Sequence, residues 1–408
     1  MPNNSVSEVV LNDAKKFIIN NIEEQARCLR DDGHCSILLL SGAPGIGKSD
    51  IMEQVATELE MGLNPQYLGT MLVEQFGMPL PTMEKDAKFQ KWSDPDFFST
   101  ENMRIKPKME TITATMEHEG KPVSKSANVS NPTILFMDDI HLATKAIQTY
   151  FFQLLTYRSI HNKKMPDDFV MVAAGNRSID RAGAQPIMAP IINRFYTVDV
   201  TATADDWIEN FAIPNQVRSD VVSFIELYNE NLQSEPLESK PWASPRSWTY
   251  MAQELTQMEK DGPLDIKDIT TIANGHIGLE YAVKFIEYVE LFMKWDAKSY
   301  FNGNPLPKFS DMTKMDNYTL MSALTAELLK DLRKNDWKVD DDGMVKNIDV
   351  VKLMFNKLID SCREIIPMGL RGLILSENIT SKEAALYYKL TEGNEKLLEC
   401  VKEVITNK

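Results

Sequence analysis

Across the first two hundred residues, short apolar runs alternate with stretches whose apolar positions recur at helical spacing. Leu11–Arg30 is of the second kind. Ala14, Phe17, Ile18, Ile22, Ala26 and Leu29 share one helical face, and the segment closes on DDG. Ser36–Leu40 is of the first kind, a strand that runs into a glycine cluster and is followed by a helical Ser49–Leu59. The same reading predicts strands at Tyr67–Val73, Thr133–Met137, Phe169–Ala174 and Phe195–Val200, and an amphipathic helix at Thr144–Tyr157. Strands separated by helices imply an α/β fold with a parallel sheet. Ligands of such sheets bind beyond the carboxyl ends of the strands.

Residues Lys106–Asn131 break this rhythm. In METITATMEHEGKPV, Ile112, Ala114 and Met116 alternate with polar residues before a turn at Glu119-Gly120, the pattern of an inserted β-hairpin. From Thr201 onwards strands fade. Helices are predicted at Val217–Tyr228, Arg246–Met258, Leu279–Trp295, Tyr318–Leu332, Val350–Cys362 and Ser381–Thr391, with a linker near Asn302–Phe309 (NGNPLPKF). No internal repeat or low-complexity tract stands out.

Composition narrows the class. Of 408 residues, 43% are hydrophobic and 25% charged, an ordinary globular balance with room for two or three domains. No run approaches the ~18–20 apolar residues that cross a bilayer. The start, MPNNSVSEVVLNDAKK, lacks the basic and apolar regions of a secretion signal, so a cytoplasmic location without membrane contact is expected. Cys28, Cys35, Cys362 and Cys400 form no C-x-x-C pair. His34, His118, His141, His161 and His276 are equally dispersed, so neither a disulfide framework nor a zinc site is indicated. The net charge of −15, from 44 basic and 59 acidic residues, argues against a nucleic-acid-binding surface.

Against this background one stretch carries chemistry. Gly42-Ala43-Pro44-Gly45-Ile46-Gly47-Lys48-Ser49, followed by Asp50, fits G-x-x-x-x-G-K-[ST] between a strand and a helix. Glycines let the backbone wrap so that its N–H groups face phosphate oxygens, and the helix start adds its dipole. Lys48 would reach the β- and γ-phosphates of ATP, and Ser49 would ligate Mg²⁺. In TILFMDDI, Asp138 emerges at the end of a buried strand, where it would hold the metal. Asp139 would then orient the attacking water, or else cap the helix of the Thr144 region. VAAGNRS places Asn176 at the end of the next strand, where an amide holds water or the γ-phosphate without adding charge.

GAPGIGKS, LFMDDI, AAGNRSIDRAG, APIINRF and ASPRSW, in this order, resemble a MoxR-like AAA+ ATPase, and GMPLPTMEKDAKFQKWSDPDFF resembles that family's segment before Walker B. The resemblance runs from Leu11 to about Trp295 and is weaker beyond. It implies a P-loop AAA+ core of three α/β/α layers over residues 1–200, an all-α lid over 201–300 and a helical C-terminal region over 301–408. It further implies Walker A at Lys48 and Ser49, Walker B at Asp138 and Asp139, and sensor 1 at Asn176. Arg194 in INRF matches the arginine finger, acting on a neighbour's nucleotide, and Arg246 in SPRSW matches sensor 2. Arg177 and Arg181 are second choices for the trans arginine. Pro245 and Ser244 fit a helix start before Arg246, with Ser244 as N-cap.

The family's partners are implied likewise: a six-membered ring of the chain itself, a protein client, and a von Willebrand factor A-type (VWA) protein. The competing readings are a nucleic-acid motor and a scaffold that uses ATP only to lock its ring. One departure is plain. The family usually carries Glu where this chain has Asp139, a methylene shorter, and a ~1 Å misplacement can slow turnover about a hundredfold. The hairpin would contact client or partner, or be a passive surface insertion. His141, Tyr150, Phe151 and Phe152 read as core and interface packing.

Overall fold

The computed structural model describes residues 8–30, 35–80, 91–99, 101, 103–118, 121–177, 186–236, 239–302, 304–308, 311–334, 348–359, 363, 366–371, 386 and 388–406. Its packing divides the chain into two compact units, Met1–Ala202 and Thr203–Lys408.

The first unit runs β1 (Val9–Val10), α1 (Ala14–Arg30), β2 (Ile37–Gly42), α2 (Lys48–Glu58) and β3 (Gly62–Tyr67). The hairpin strands β4 (Met109–His118) and β5 (Lys121–Ser130) follow, then β6 (Thr133–Asp138) and α3 (Lys145–Tyr157). A short hairpin of β7 (Ser159–Ile160) and β8 (Lys163–Lys164) leads to β9 (Phe169–Gly175), α4 (Ala189–Ile192) and β10 (Phe195–Thr201). Six strands form one sheet in the order β1-β10-β2-β9-β6-β3, and every adjacent pair is parallel. The expected α/β class with a parallel sheet is what the chain adopts.

Burial on both faces explains the near-continuous apolar runs of β2, β6 and β9. Leu38, Leu40, Ile134, Phe136, Val170 and Val172 enter one core with Ile18, Ile22 and Met52 of the helices. Their neighbours Ile37, Leu39, Leu135, Met137, Phe169 and Met171 enter the other with Phe76, Phe151 and Leu154. The central strands β2, β9 and β6 therefore end side by side.

Two expectations are corrected. The strand predicted at Tyr67–Val73 lies earlier, at Gly62–Tyr67, and residues Val73–Phe76 form a 3₁₀ turn. β3 carries Pro65 and buried Asn64, whose amide donates to Phe97 O at 2.8 Å. An edge strand tolerates that proline, but the polar residues hide it from an apolar search. Cys28 and Cys35, read as dispersed, are neighbours. Burial first, and the Cys28 thiol after it, pushes Cys35 up to about 12.

The predicted insertion is a hairpin, paired from Met109↔Ser130 to His118↔Lys121. Its Glu119-Gly120 turn lies outside the described residues, as do Arg181, His34 and Cys362.

The second unit is helical among its described residues: α5 (Ala204–Trp207), α6 (Ser219–Leu227), α7 (Pro245–Asp261), α8 (Ile266–Ile277), α9 (Leu279–Lys294), α10 (Ala297–Phe301), α11 (Lys314–Lys334), α12 (Ile348–Leu358), α13 (Ile366–Arg371) and a final helix Glu395–Thr406. Helix α7 starts as expected, with Pro245 in its first turn and Ser244 Oγ accepting from Ser247 N–H at 3.2 Å. Phe224, Trp248 and Phe285 pack together, Tyr288 Oη donates to Ser223 Oγ at 2.7 Å, and Tyr318 Oη donates to Ser223 O at 2.8 Å. The helix expected at Ser381–Thr391 falls largely outside the described residues, and the Asn302–Phe309 linker partly so. No helix among the described residues is long and apolar enough to cross a membrane.

Candidate functional site

The glycine loop follows β2 and is fixed from below. Ala43 and Ile46 bury their side chains in the core, while Gly45 (φ 79) and Gly47 (φ 106) take up backbone that other residues rarely adopt. A Cβ on Gly42 would stand 2.6 Å from Val200 O on β10, so only glycine lets the loop leave the sheet there. Pro44 is half-buried. Gly47 is the N-cap of α2 and no side chain caps it, the arrangement in which first-turn N–H groups and the helix dipole serve an anion. Asp50 is exposed in the same first turn.

Lys48 turns back into the loop. It is 7% exposed, and its Nζ donates to Gly42 O, Ala43 O and Asn176 Oδ1, each at 2.9 Å. A buried ammonium needs such partners. They tie β2, the loop and the end of β9 to one charge.

Ser49 Oγ donates to Asp138 Oδ2 at 2.6 Å, and Asp139 N–H donates to Asp138 Oδ1 at 2.9 Å. Burial pushes the Asp138 carboxyl above the ordinary carboxylate range; the Ser49 hydrogen bond opposes the rise, and the Asp139 charge adds to it. A cation beside the carboxylate would offset the cost of burial. Ser49 and Asp138 are hard oxygen donors in contact, which fits Mg²⁺ with phosphate and water oxygens completing its shell.

Asp139 is half-buried and sits at φ 54, ψ 42, a left-handed turn directly after β6. The helix-cap alternative fails. The Asp139 side chain caps nothing, and α3 is capped by Thr144, whose Oγ1 accepts from Ile147 N–H at 3.4 Å.

Arg194 stays within its own unit in the single chain. Its Nη1 donates to Pro190 O at 2.7 Å, and its guanidinium lies 4.3 Å from the Phe152 ring centroid. Arg177 pairs with Glu8 at 2.6 Å. Arg246 is exposed in the first turn of α7, in the second unit. The geometry thus brings Gly42–Ser49, Asp138, Asp139 and Asn176 together at the carboxyl ends of the strands, whereas Arg194 precedes β10 at the opposite end of the sheet, level with the start of β2.

Residues 38–197 match the family model described as ATPase family associated with various cellular activities (AAA). This segment is similar to the AAA ATPase domains. Among solved structures the chain is similar to a point mutant of RuvB from Thermotoga maritima, at 14% identity and a TM-score of 0.35, over 80% of this chain and 91% of that one. It is similar too to the structure titled Thermotoga maritima RuvB Holliday junction branch migration motor, at 15% identity and a TM-score of 0.32, over 81% and 89%. A putative ATPase from Cytophaga hutchinsonii matches at 12% identity and a TM-score of 0.26, over 65% and 81%. No curated protein shows a significant match to the sequence. The fold of this segment rests on the strand order and loop geometry described above.

Two residues of the first unit gain a place that the sequence did not give them. Phe152, expected only to pack, is the platform of Arg194. His141, also expected to pack, is 2% exposed and hydrogen-bonds the Asn176 backbone. Its one sequence signal is that it stands three residues after Asp138, on the turn that leaves β6.

Proposed function

We propose that this chain is a MoxR-like AAA+ ATPase that binds ATP with Mg²⁺, hydrolyses it within a six-membered ring, and remodels or activates a client protein together with a VWA-type partner. The observation that carries the ATP reading is the junction at the sheet edge. There Lys48 is held by Gly42 O, Ala43 O and Asn176 Oδ1 while Ser49 bonds Asp138. A buried ammonium and a buried carboxylate, side by side with a glycine-wrapped backbone, form a pair of opposite charges suited to a metal-bound polyphosphate.

In this reading Gly42–Asp50 wrap the phosphates, Lys48 binds the β- and γ-phosphates, and Ser49 and Asp138 hold Mg²⁺. The metal, when bound, offsets negative charge on the phosphate oxygens. Asp139 orients the attacking water from its turn, and Asn176 steadies the water or the γ-phosphate. Arg194 of one subunit serves the neighbour's nucleotide. For that it must leave Phe152 and Pro190, contacts weak enough to exchange for a phosphate. Arg246 acts in cis from a helical lid, residues 201–300, with residues 301–408 as a C-terminal helical region. Ring, client and partner rest on the order GAPGIGKS, LFMDDI, AAGNRSIDRAG, APIINRF, ASPRSW.

The test is affinity capture with Asp139→Asn, expected to bind ATP, stall before hydrolysis and retain its client. Recovery of a specific protein supports remodelling. Recovery of nucleic acid instead would replace the client reading with a motor, and absence of ATP binding would remove the enzyme reading altogether.

A further inference from the structure

Asn176 is claimed from two sides. On one side Lys48 Nζ donates to its Oδ1 at 2.9 Å. On the other lies the His141 imidazole, buried in the 3₁₀ turn Ile140–Leu142. Nδ1 of that ring accepts from Asn176 N–H at 3.0 Å, and Nε2 stands 3.1 Å from the amide nitrogen Nδ2. Gly175 permits the approach, since a Cβ there would come within 3.0 Å of Ile140 Cγ2 and 3.6 Å of His141 Nδ1.

The chemistry of the ring decides what these distances mean. A backbone N–H only donates, so Nδ1 carries no proton, and the neutral imidazole keeps its proton on Nε2. The amide nitrogen also only donates. Two N–H groups therefore face each other at 3.1 Å. Lys48 explains why the amide stays this way round, because a charge-assisted bond to Oδ1 outweighs a neutral one. Lys48 Nζ meets the amide at Oδ1 and His141 Nε2 meets it at Nδ2, so Oδ1 faces one of them at a time.

We propose that His141 is a positioning residue that sets the amide of Asn176 once Lys48 releases it. This rests on the nucleotide-site reading above. While Lys48 holds Oδ1, the amide nitrogen is turned towards His141. When the ammonium turns to phosphate oxygens, Oδ1 is freed, and a half-turn about a soft terminal torsion brings it onto Nε2–H of His141. That half-turn swings Nδ2 away from the ring and presents its N–H groups as donors on the side Lys48 has left. His141 thereby converts Asn176 from an acceptor for lysine into a donor for the γ-phosphate or the attacking water. It touches neither.

The tautomer is tested on the nucleotide-free, full-length protein by ¹⁵N long-range correlation spectroscopy of the imidazoles, with the His141 signals assigned by their loss in His141→Gln. An unprotonated Nδ1 and a protonated Nε2 are expected. A non-hydrolysable ATP analogue should leave the tautomer unchanged and move the Nε2 proton downfield as it gains an acceptor. A proton on Nδ1, or an Nε2 proton indifferent to the analogue when binding is saturated, overturns the proposal.

Two variants separate positioning from packing. His141→Asn keeps an acceptor near the Nδ1 position and loses the Nε2 donor, whereas His141→Gln restores a donor near Nε2. Both should bind ADP as the wild type does. In the Asn variant kcat should fall about tenfold or more with little change in KM, and the Gln variant should recover part of that loss. Equal losses in both, or no loss in either, overturn the proposal. Should the wild type bind no nucleotide, the ATP reading fails by itself, while the tautomer measurement still judges the His141–Asn176 geometry.

Discussion

Ser49 Oγ donates a 2.6 Å hydrogen bond to Asp138 Oδ2, which fastens the start of α2 to the end of β6. In the proposed site both oxygens serve magnesium, so each should be needed for the metal rather than for the fold. Ser49→Ala and Asp138→Asn are expected to fold and to lose the magnesium-dependent part of stabilisation by ATP. At ligand concentrations near a hundred times Kd the wild type should gain about 2.7 kcal/mol. Thermal unfolding with ATP, with and without magnesium, measures the difference, and an undiminished magnesium effect in both variants removes the metal assignment.

The same carboxylate makes a pH prediction. Burial raises the Asp138 pKa in the folded chain, with the Ser49 hydrogen bond opposing. A raised folded value means that the native state binds the proton more tightly than the unfolded chain does. Asp138 therefore contributes stability that is fully present below its unfolded pKa and is lost as pH rises through its folded pKa. Relative to Asp138→Asn, the metal-free wild type should gain stability as pH is lowered from 7 into the carboxylate range. Urea melts of the pair across that window read the slope, and a slope of opposite sign contradicts the assignment.

Lys48→Ala deletes the donor of three 2.9 Å hydrogen bonds. We expect about 1–3 kcal/mol lost from the nucleotide-free fold, because the loop carbonyls lose their partner. Titration calorimetry should show no ATP binding. Wild-type affinity in this variant would dissociate the loop from nucleotide altogether.

Gly42→Ala tests how the loop is anchored. The new Cβ would meet Val200 O at 2.6 Å, a backbone atom that cannot swing aside, so a loss of about 1–3 kcal/mol is expected. Gly262→Ala is the control, since nothing lies within 4 Å of its Cβ position. Its melt should stay within about 0.5 kcal/mol of the wild type.

Arg194→Ala gives up a guanidinium stacked 4.3 Å from Phe152. The stack contributes only about 0.5–1 kcal/mol to the fold, whereas a trans arginine can contribute about 10³–10⁵ in rate. The variant should therefore melt nearly as the wild type, bind ATP, and fail to hydrolyse it. Mixing with Lys48→Ala subunits, which retain Arg194, should restore part of the rate. Wild-type turnover by Arg194→Ala alone would discard the trans role.

The sequence made the candidate-site edge of the sheet readable because both faces of β2, β6 and β9 are buried. Leu38, Phe136 and Val172 needed no partner to reveal a strand, and Asp138 and Asn176 marked where two of the strands stop. Strand β3 stayed hidden because Asn64, Pro65 and Gln66 replace apolar residues with hydrogen bonds that only the folded chain supplies, as from Asn64 to Phe97 O. The β7–β8 hairpin turns on His161 and Asn162, both at positive φ, without the glycine that usually signals such a turn. Helix α8 was missed although Asp265 caps it, since Thr270, Thr271, Asn274 and Gly275 are poor helix formers. Contact between His141 and Asn176 spans 35 positions and follows no period. Sheet order alone makes them neighbours.

The threefold grip on Lys48 makes the loop its own gatekeeper. A newcomer must lure the ammonium from three carbonyl oxygens at once, and a lone weak anion offers too little in exchange. On the proposed reading, admission is reserved for guests with dense, clustered negative charge, and the cradle is held in shape by the same three bonds.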